Sequence, residues 1–410
     1  MLTAVFDKSF LQALNMDEAV MFDMMFMSNI TPLFFAETLA DLKKEMRDGR
    51  TAEQVVGNLA DKTPECKAYT NAYHLTLCEG ELRGFDVPMD GRTHIPYGKP
   101  FRNGNKRGVS FGIAPEMDAL QRWQNHKFLE IEHSIAADWR AMLKDLPSGA
   151  MKLASQAGEK LKLKDLASAR VFAEQMMRDA QPVLLLRSAM ELVGLGPTRQ
   201  ALVAQRWNQQ GRPPLERFAP YCWHVLMVQF AFELAASAGK VAADRPTNRI
   251  DLAYFNYTPF CDVFISGDRL HRQLAPIFLR DSQRFVWAHD LKADLARIAE
   301  RYAGHPDLKT QGIVHLFRHS DLEIGSLCAQ LLDDLRPGWR DRQATPPVQE
   351  GLAANQRLLR KLRTMTAAAE RSPPDRSVAS EADLDTVMFK RMISVQRGRW
   401  QILPQGAGED

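Results

Sequence analysis

An α/β fold is predicted, with a central, mainly parallel sheet and a large all-helical insertion. Three observations predict it. "LTAVF" and "VFIS" are short apolar runs of strand composition, and each leads to an acidic residue ahead of a helical pattern. "QRFVWAHDLKADLARIAERYA" joins another short strand to an amphipathic helix. Between the first of these units and the other two, residues 115–239 read as almost wholly helical.

Taken in order, residues 1–14 give a strand, then Asp7 and a helix start. "MDEAVMFDMMFMSN", from Met16, has apolar residues at helical spacing, and its methionines suit a pliable core face better than a ligand set. "ITPLFFAETLADLKKEM", from Ile30, opens as strand and turns helical, with Glu37 just inside the helix. Glu37 and Asp41 stand four apart and share a face. "DKTPECKAYTNAYHLTLCEGELRGFDVPMD" reads as helix followed by turn or strand. Residues 91–112 read as a loop of glycine, proline and basic residues. Arg92, Lys99, Arg102, Lys106 and Arg107 lie in it, interleaved with His94, Tyr97 and Phe101.

"PYCWHVLMVQFAFELAASAG" is apolar around most of its circumference and predicts a buried central helix. "NRIDLAYFNYTPF" predicts a helix that begins at Asp251 and stops near Pro259, and "GIVHLFRHS" one more strand. After Pro337, "RDRQATPPVQEG" and "ERSPPDRSVASEAD" read as linkers around the basic helix "LAANQRLLRKLRTMTAAA". "DTVMFKRMISVQRGRWQILP" reads as a strand pair packing back on the body. The expected units are 1–48 and 246–335 for the two parts of the core, 49–245 for the insertion, and 336–410 for a C-terminal appendage.

The 410 residues are 45% hydrophobic and 25% charged, an ordinary composition for a soluble globular chain. No apolar run approaches the roughly 20 residues that span a bilayer, and no secretory signal is legible, so a cytoplasmic protein without membrane contact is expected. The five cysteines are scattered without a CxxC pair, which argues against a disulfide framework or structural zinc. A net charge of +3 permits a nucleic-acid partner without demanding one.

Four acids stand out by their settings. Asp7 follows the first strand, Glu37 follows the apolar "PLFF", Asp251 opens a late helix, and Asp268 follows "VFIS". In an α/β sheet the carboxyl ends of parallel strands and the starts of the next helices converge on one crevice. Carboxylates gathered there repel one another unless cations neutralise them, and hard ions such as Mg²⁺ or Mn²⁺ suit oxygen-only sites. Such a site activates water and supports displacement at phosphorus. The competing reading is simpler: Asp7, Asp251 and Asp268 each cap a helix, Glu37 and Asp41 form a solvated face, and Asp262 marks a strand start.

With these residues in view, "AVFDKSFLQAL", "ITPLFFAETLADL" and "DLAYFNYTPFCDVFISGDRL" resemble the acidic motifs of PIN-domain nucleases. Asp7, Glu37, Asp251 and Asp268 match the family's acids in order, and Ser266 matches the small hydroxyl residue two before the last. The resemblance covers residues near 1–45 and 248–320. It implies a three-layer sandwich around a parallel sheet, split here by the insertion. It also implies Mg²⁺- or Mn²⁺-dependent hydrolysis of RNA that leaves a 3′-hydroxyl and a 5′-phosphate. About two hundred residues separate Glu37 from Asp251, far more than in a compact PIN domain.

Arg269, His271 and Arg272 stand beside the last acid as candidates to contact RNA phosphates, and Lys99, Arg102, Lys106 and Arg107 of the basic loop suit single-stranded RNA. A catalytically idle PIN-like scaffold, binding RNA or protein through its insertion, is the alternative. A toxin or defence effector with an inhibitory protein partner is a third context, and homo-oligomerisation is open.

Overall fold

The computed structural model describes residues 1–46, 49–94, 98–103, 106–111, 115–132, 134, 156, 158, 163–241, 246–342 and 393–404. The chain is α/β, with five parallel strands at its centre. Its first half runs β1 (Leu2–Phe6), α1 (Lys8–Ala13), α2 (Met16–Met25), β2 (Phe26–Ile30), α3 (Pro32–Glu45), α4 (Ala52–Ala60), β3 (Ala68–Thr70) and α5 (His74–Leu82). A hairpin, β4 (Gly98–Asn103) and β5 (Lys106–Phe111), precedes α6 (Pro115–Gln124). The described helices that follow are α7 (Leu166–Asp179), α8 (Pro182–Leu192), α9 (Pro197–Gln209) and α10 (Pro220–Ser237). Next come α11 (Pro246–Ala253), a 3-10 segment (Tyr254–Phe260), β6 (Val263–Ser266), α12 (Arg269–Phe278), β7 (Arg284–Trp287), α13 (Ala288–Ala303), α14 (Leu327–Leu335) and a small pair, β8 (Gln396–Arg397) and β9 (Trp400–Gln401).

The sheet order is β3-β2-β1-β6-β7. The chain builds outward from β1 on one side, then returns to build outward on the other. The direction of winding therefore switches between β1 and β6, and in open parallel sheets a crevice opens at such a point, beyond the carboxyl ends of the strands. Alternate residues feed two apolar cores. Val5 and Phe264 join one with α7 and α10, while Ala4, Phe6, Val263 and Ile265 join the other with α2, α13 and α14. Strands buried on both faces read as continuous apolar runs, which is the pattern of "LTAVF" and "VFIS". The expected buried helix is α10, of whose eighteen residues twelve are buried and the rest half-buried.

Several elements differ from expectation. The helix from Met16 ends at Met25, and Phe26–Ile30 is strand, because a short run buried on both faces carries no periodicity to separate the two. Residues 61–90 hold a strand before a helix, the reverse of the expected order. Pairing of β3 with β2 carries the sheet past residue 48, the expected limit of the first core segment. The basic stretch 91–112 contains the β4–β5 hairpin, not only loop. Its sequence signal was Gly104–Asn105 between two strand-like runs. The late helix begins at Pro246, five residues before Asp251, and Pro259 lies inside the 3-10 segment. Ile313–Leu316 is a helical turn, not a strand. The basic helix near 352–369 and its flanking linkers lie outside the described residues.

The strand pair near the C-terminus packs back as expected. Arg397 is 5% exposed and donates to Asp23 (3.2 Å) and to the carbonyls of Asp61 and Thr63. Gly398 has φ +56, and a Cβ there would meet Met16 Cγ at 2.8 Å, so only glycine fits. Asp23 is fully buried and also accepts from the backbone N–H groups of Glu65, Cys66 and Lys67. Asp23→Ala strands these donors and the guanidinium together. A loss of about 3–5 kcal/mol in urea denaturation at pH 7 is expected; a loss below about 1 kcal/mol would show that the clamp contributes little.

Candidate functional site

The acids lie where the winding switches. Asp7, one residue past β1, caps α1 by accepting from Phe10 N (2.9 Å). Ser9 Oγ donates to both of its oxygens, and Ser266 Oγ, from the end of β6, donates to Oδ2 at 2.6 Å. Asp268 caps α12 through Oδ1, which accepts from the N–H groups of Leu270 and His271. Both aspartates are therefore the caps that the simpler reading requires, and they also converge. Glu37 is the sixth residue of α3, deeper in its helix than expected, and Asp251 is the sixth of α11, not its cap. Tyr254 OH donates to Glu37 Oε2 at 2.8 Å.

Electrostatics tie the four together. Burial pushes Glu37 up to about 7, and the charge of Asp7 adds to this while Lys8 opposes it. Burial also pushes Asp251 up to about 7, aided by the charges of Asp268, Asp7 and Asp41 and opposed by His271. Burial would raise Asp7 too, but the hydrogen bond and charge of His271 hold it below its ordinary value. Lys8, 3% exposed, bonds Asp41 (2.5 Å) and Glu45 (3.0 Å). Burial alone would depress its ammonium, and the charges of Glu37, Asp41 and Glu45 outweigh that.

His271 is the second buried cation. It is 0% exposed, among the rings of Tyr254, Phe255 and Phe264. Its Nδ1 lies 2.7 Å from Ser266 Oγ, and its Nε2 lies 2.8 Å from the backbone oxygen of Asp251. Ser266 Oγ already donates to Asp7 and accepts from Asp268 N, so toward Nδ1 it can only accept. A carbonyl oxygen only accepts as well. Both ring nitrogens therefore carry protons, which agrees with a pKa raised to about 9: burial lowers it, and Asp7 more than reverses this. His271 is thus buried inside the network, which corrects the expectation that it contacts an RNA phosphate.

The fit to a divalent cation is one of charge and donor type. Asp7's oxygens are taken by Ser9, Phe10 and Ser266, whereas no donor among the described residues reaches the Asp251 carboxylate and only Tyr254 reaches Glu37. Glu37, Asp251 and the second oxygen of Asp268 are hard oxygen donors left with excess negative charge. Among the described residues, no three His, Cys, Asp or Glu side chains already surround one point as a metal cage.

Arg269 and Arg272 are exposed on the first turn of α12, and no carboxylate among the described residues pairs with either. In the hairpin, Arg102 stands opposite Arg107 and Lys106 opposite Asn103, with Lys99 opposite Ser110. Asp262 belongs to the far edge of the sheet, where it accepts from Thr3 N and Arg336. A cleft of about 330 Å³ opens there, but its arginines Arg280, Arg284 and Arg336 all have partners. The frustrated carboxylates make the opposite edge the stronger site.

The sequence reading missed Lys8, Ser9 and Tyr254. Tyr254 stands three after Asp251, a spacing that places two helical residues on one face, and Lys8 directly follows the first acid. Comparison with protein-family models, curated proteins and solved structures finds no match.

Glu37→Gln tests the frustration. Glu37 ionises near 4.5 when unfolded and near 7 when folded, so its contribution to stability is full below 4.5 and lost as pH rises through 7. At pH 8 Glu37→Gln is expected to stabilise the fold by roughly 1–3 kcal/mol, and at pH 4 to leave it unchanged. Thermal melts at the two pH values check this; destabilisation at pH 8 would overturn it.

Proposed function

We propose that this chain is a metal-dependent ribonuclease of the PIN type, using Mg²⁺ or Mn²⁺. One observation carries the reading. Acids from segments more than two hundred residues apart meet at the switch point between β1 and β6, and two of them, Glu37 and Asp251, are pushed up to about 7. Glu37, Asp251 and Asp268 would hold the ion, with Asp7 beside them. Bound there, it would stabilise negative charge developing at a phosphate.

The chain's own residues supply the rest. Asp7, Ser266 and His271 fix the ends of β1 and β6 relative to α11 and α12. Glu37 and Asp251, pushed up to about 7, would give up their protons as the ion binds, so binding strengthens as pH rises. Arg269 and Arg272 offer charge to flanking phosphates.

A second reading has its own support. Asp7's oxygens are taken and no ligand cage is closed among the described residues, as in a catalytically idle scaffold that binds RNA or protein. Calorimetry with Mn²⁺ and cleavage of single-stranded RNA separate the two. For the nuclease, Mn²⁺ binds at millimolar levels and more tightly at pH 8 than at pH 6, because protons compete for Glu37 and Asp251. Asp251→Asn and Asp268→Asn lower cleavage at least about 100-fold. Undiminished cleavage by Asp268→Asn, or no Mn²⁺ binding at either pH, favours the scaffold.

A further inference from the structure

We infer that Trp287, with Arg272 laid over it and His289 beside it, is a stacking platform for a base of single-stranded RNA next to the acid crevice. This deepens the ribonuclease reading and rests on it for the class of ligand.

Trp287 ends β7 and pairs in register with Ser266, so it stands on the same carboxyl edge as the acids, one strand over from β1's neighbour. The link between them is tight. A Cβ on Gly267 would lie 3.3 Å from Ser9 Oγ and 3.6 Å from Ala288 Cβ. The chain between Ser266 and Asp268 is therefore wedged between a hydrogen-bond donor to Asp7 and the residue that follows Trp287.

Trp287 is half-buried, and Arg272 and His289 are exposed. The Arg272 guanidinium sits 5.2 Å from the Trp287 ring centroid, and the His289 ring 6.0 Å away. No carboxylate among the described residues pairs with Arg272. Its place in the first turn of α12 sets it against the helix dipole, which favours anions there. The Trp287 ring holds it there, and its charge stays available to a phosphate chain. The ring pins one face of the guanidinium, and the outer face is left for a base. Planar aromatic and guanidinium faces accept any base, and duplex bases are not free to offer themselves. Trp287 thus holds the guanidinium flat, and Arg272 presents both the stacking face and the charge.

The test uses the full chain in EDTA, where no cleavage is read. The probes are a fluorescein-labelled single-stranded RNA and an abasic oligonucleotide of equal length, followed by anisotropy. The wild type is expected to bind the RNA about tenfold tighter than the abasic strand. Trp287→Leu is expected to abolish that ratio and to leave abasic binding and its salt slope unchanged. Arg272→Gln is expected to weaken both, to lower the ratio between them and to lower the salt slope by about one. A wild type without the ratio, or a Trp287→Leu that keeps it, overturns the platform. If Trp287→Leu loses its cooperative melt, Arg272→Gln and His289→Ala carry the test from exposed positions, and an unchanged ratio in both overturns it. Base-dependent binding without metal-dependent cleavage would keep the platform and remove the ribonuclease; cleavage with an unaltered ratio would do the reverse.

Discussion

Repulsion between the buried Asp7 and the half-buried carboxylates around it, at the seam between β1 and β6, is the constraint on which the rest of this structure depends. Asp7, Glu37, Asp41, Glu45, Asp251 and Asp268 act on one another or on the two cations among them, Lys8 and His271. Buried charges persist only when paired and hydrogen-bonded. Lys8 meets this on the α3 side through Asp41 and Glu45, and His271 meets it on the β6 side through Asp7. The Ser266–Asp7 hydrogen bond spans 259 residues of chain. The cations are thus not incidental to the fold: they allow two strands that end in acids to lie side by side.

Part of this was legible. A strand followed by an acid and a helix is a local pattern, so "LTAVFD" and "VFISGD" disclosed both the strands and the positions of Asp7 and Asp268. Asp251 and Glu37 were found by composition, but their depth in their helices was not, because Pro246 and Pro32 begin those helices earlier than the acids suggest. The short strands β2 and β3 were hidden for a different reason. Phe26–Ile30 is buried nearly throughout and Ala68–Thr70 has three residues, so neither shows an alternation to read. The protonation of His271 was beyond reach, since it follows from where Ser266 Oγ and the Asp251 carbonyl point in space.

The clamp far along the chain follows the same logic as the seam. Asp23 gathers three backbone donors and Arg397, and no oxygen of this buried acid is left in want of a donor. Glu81 does similar work between elements, accepting from Tyr221 N and Cys222 N at the start of α10. Asp23 and Glu81 thus each have donors at both carboxylate oxygens. That habit is the standard against which the crevice is to be judged.

By that standard the two pairs of acids separate. Asp7 and Asp268 cap helices, and the capping account explains their types and places without any ligand. It does not explain Glu37 and Asp251. Both lie mid-helix, where no orphan backbone N–H needs them. Burial raises both to about 7, as it does Glu81, but Glu81 holds two backbone hydrogen bonds whereas these two hold one between them, from Tyr254. A sequence selected for stability alone would place amides or apolar groups there. Local inconsistency of this kind, set among consistent neighbours, is what a working site looks like in an otherwise minimally frustrated chain. The caps and the convergence are therefore not rival readings. The caps fix where the strands and helices end, and the Asp7 so placed acts by its charge on both members of the uncompensated pair, Glu37 and Asp251.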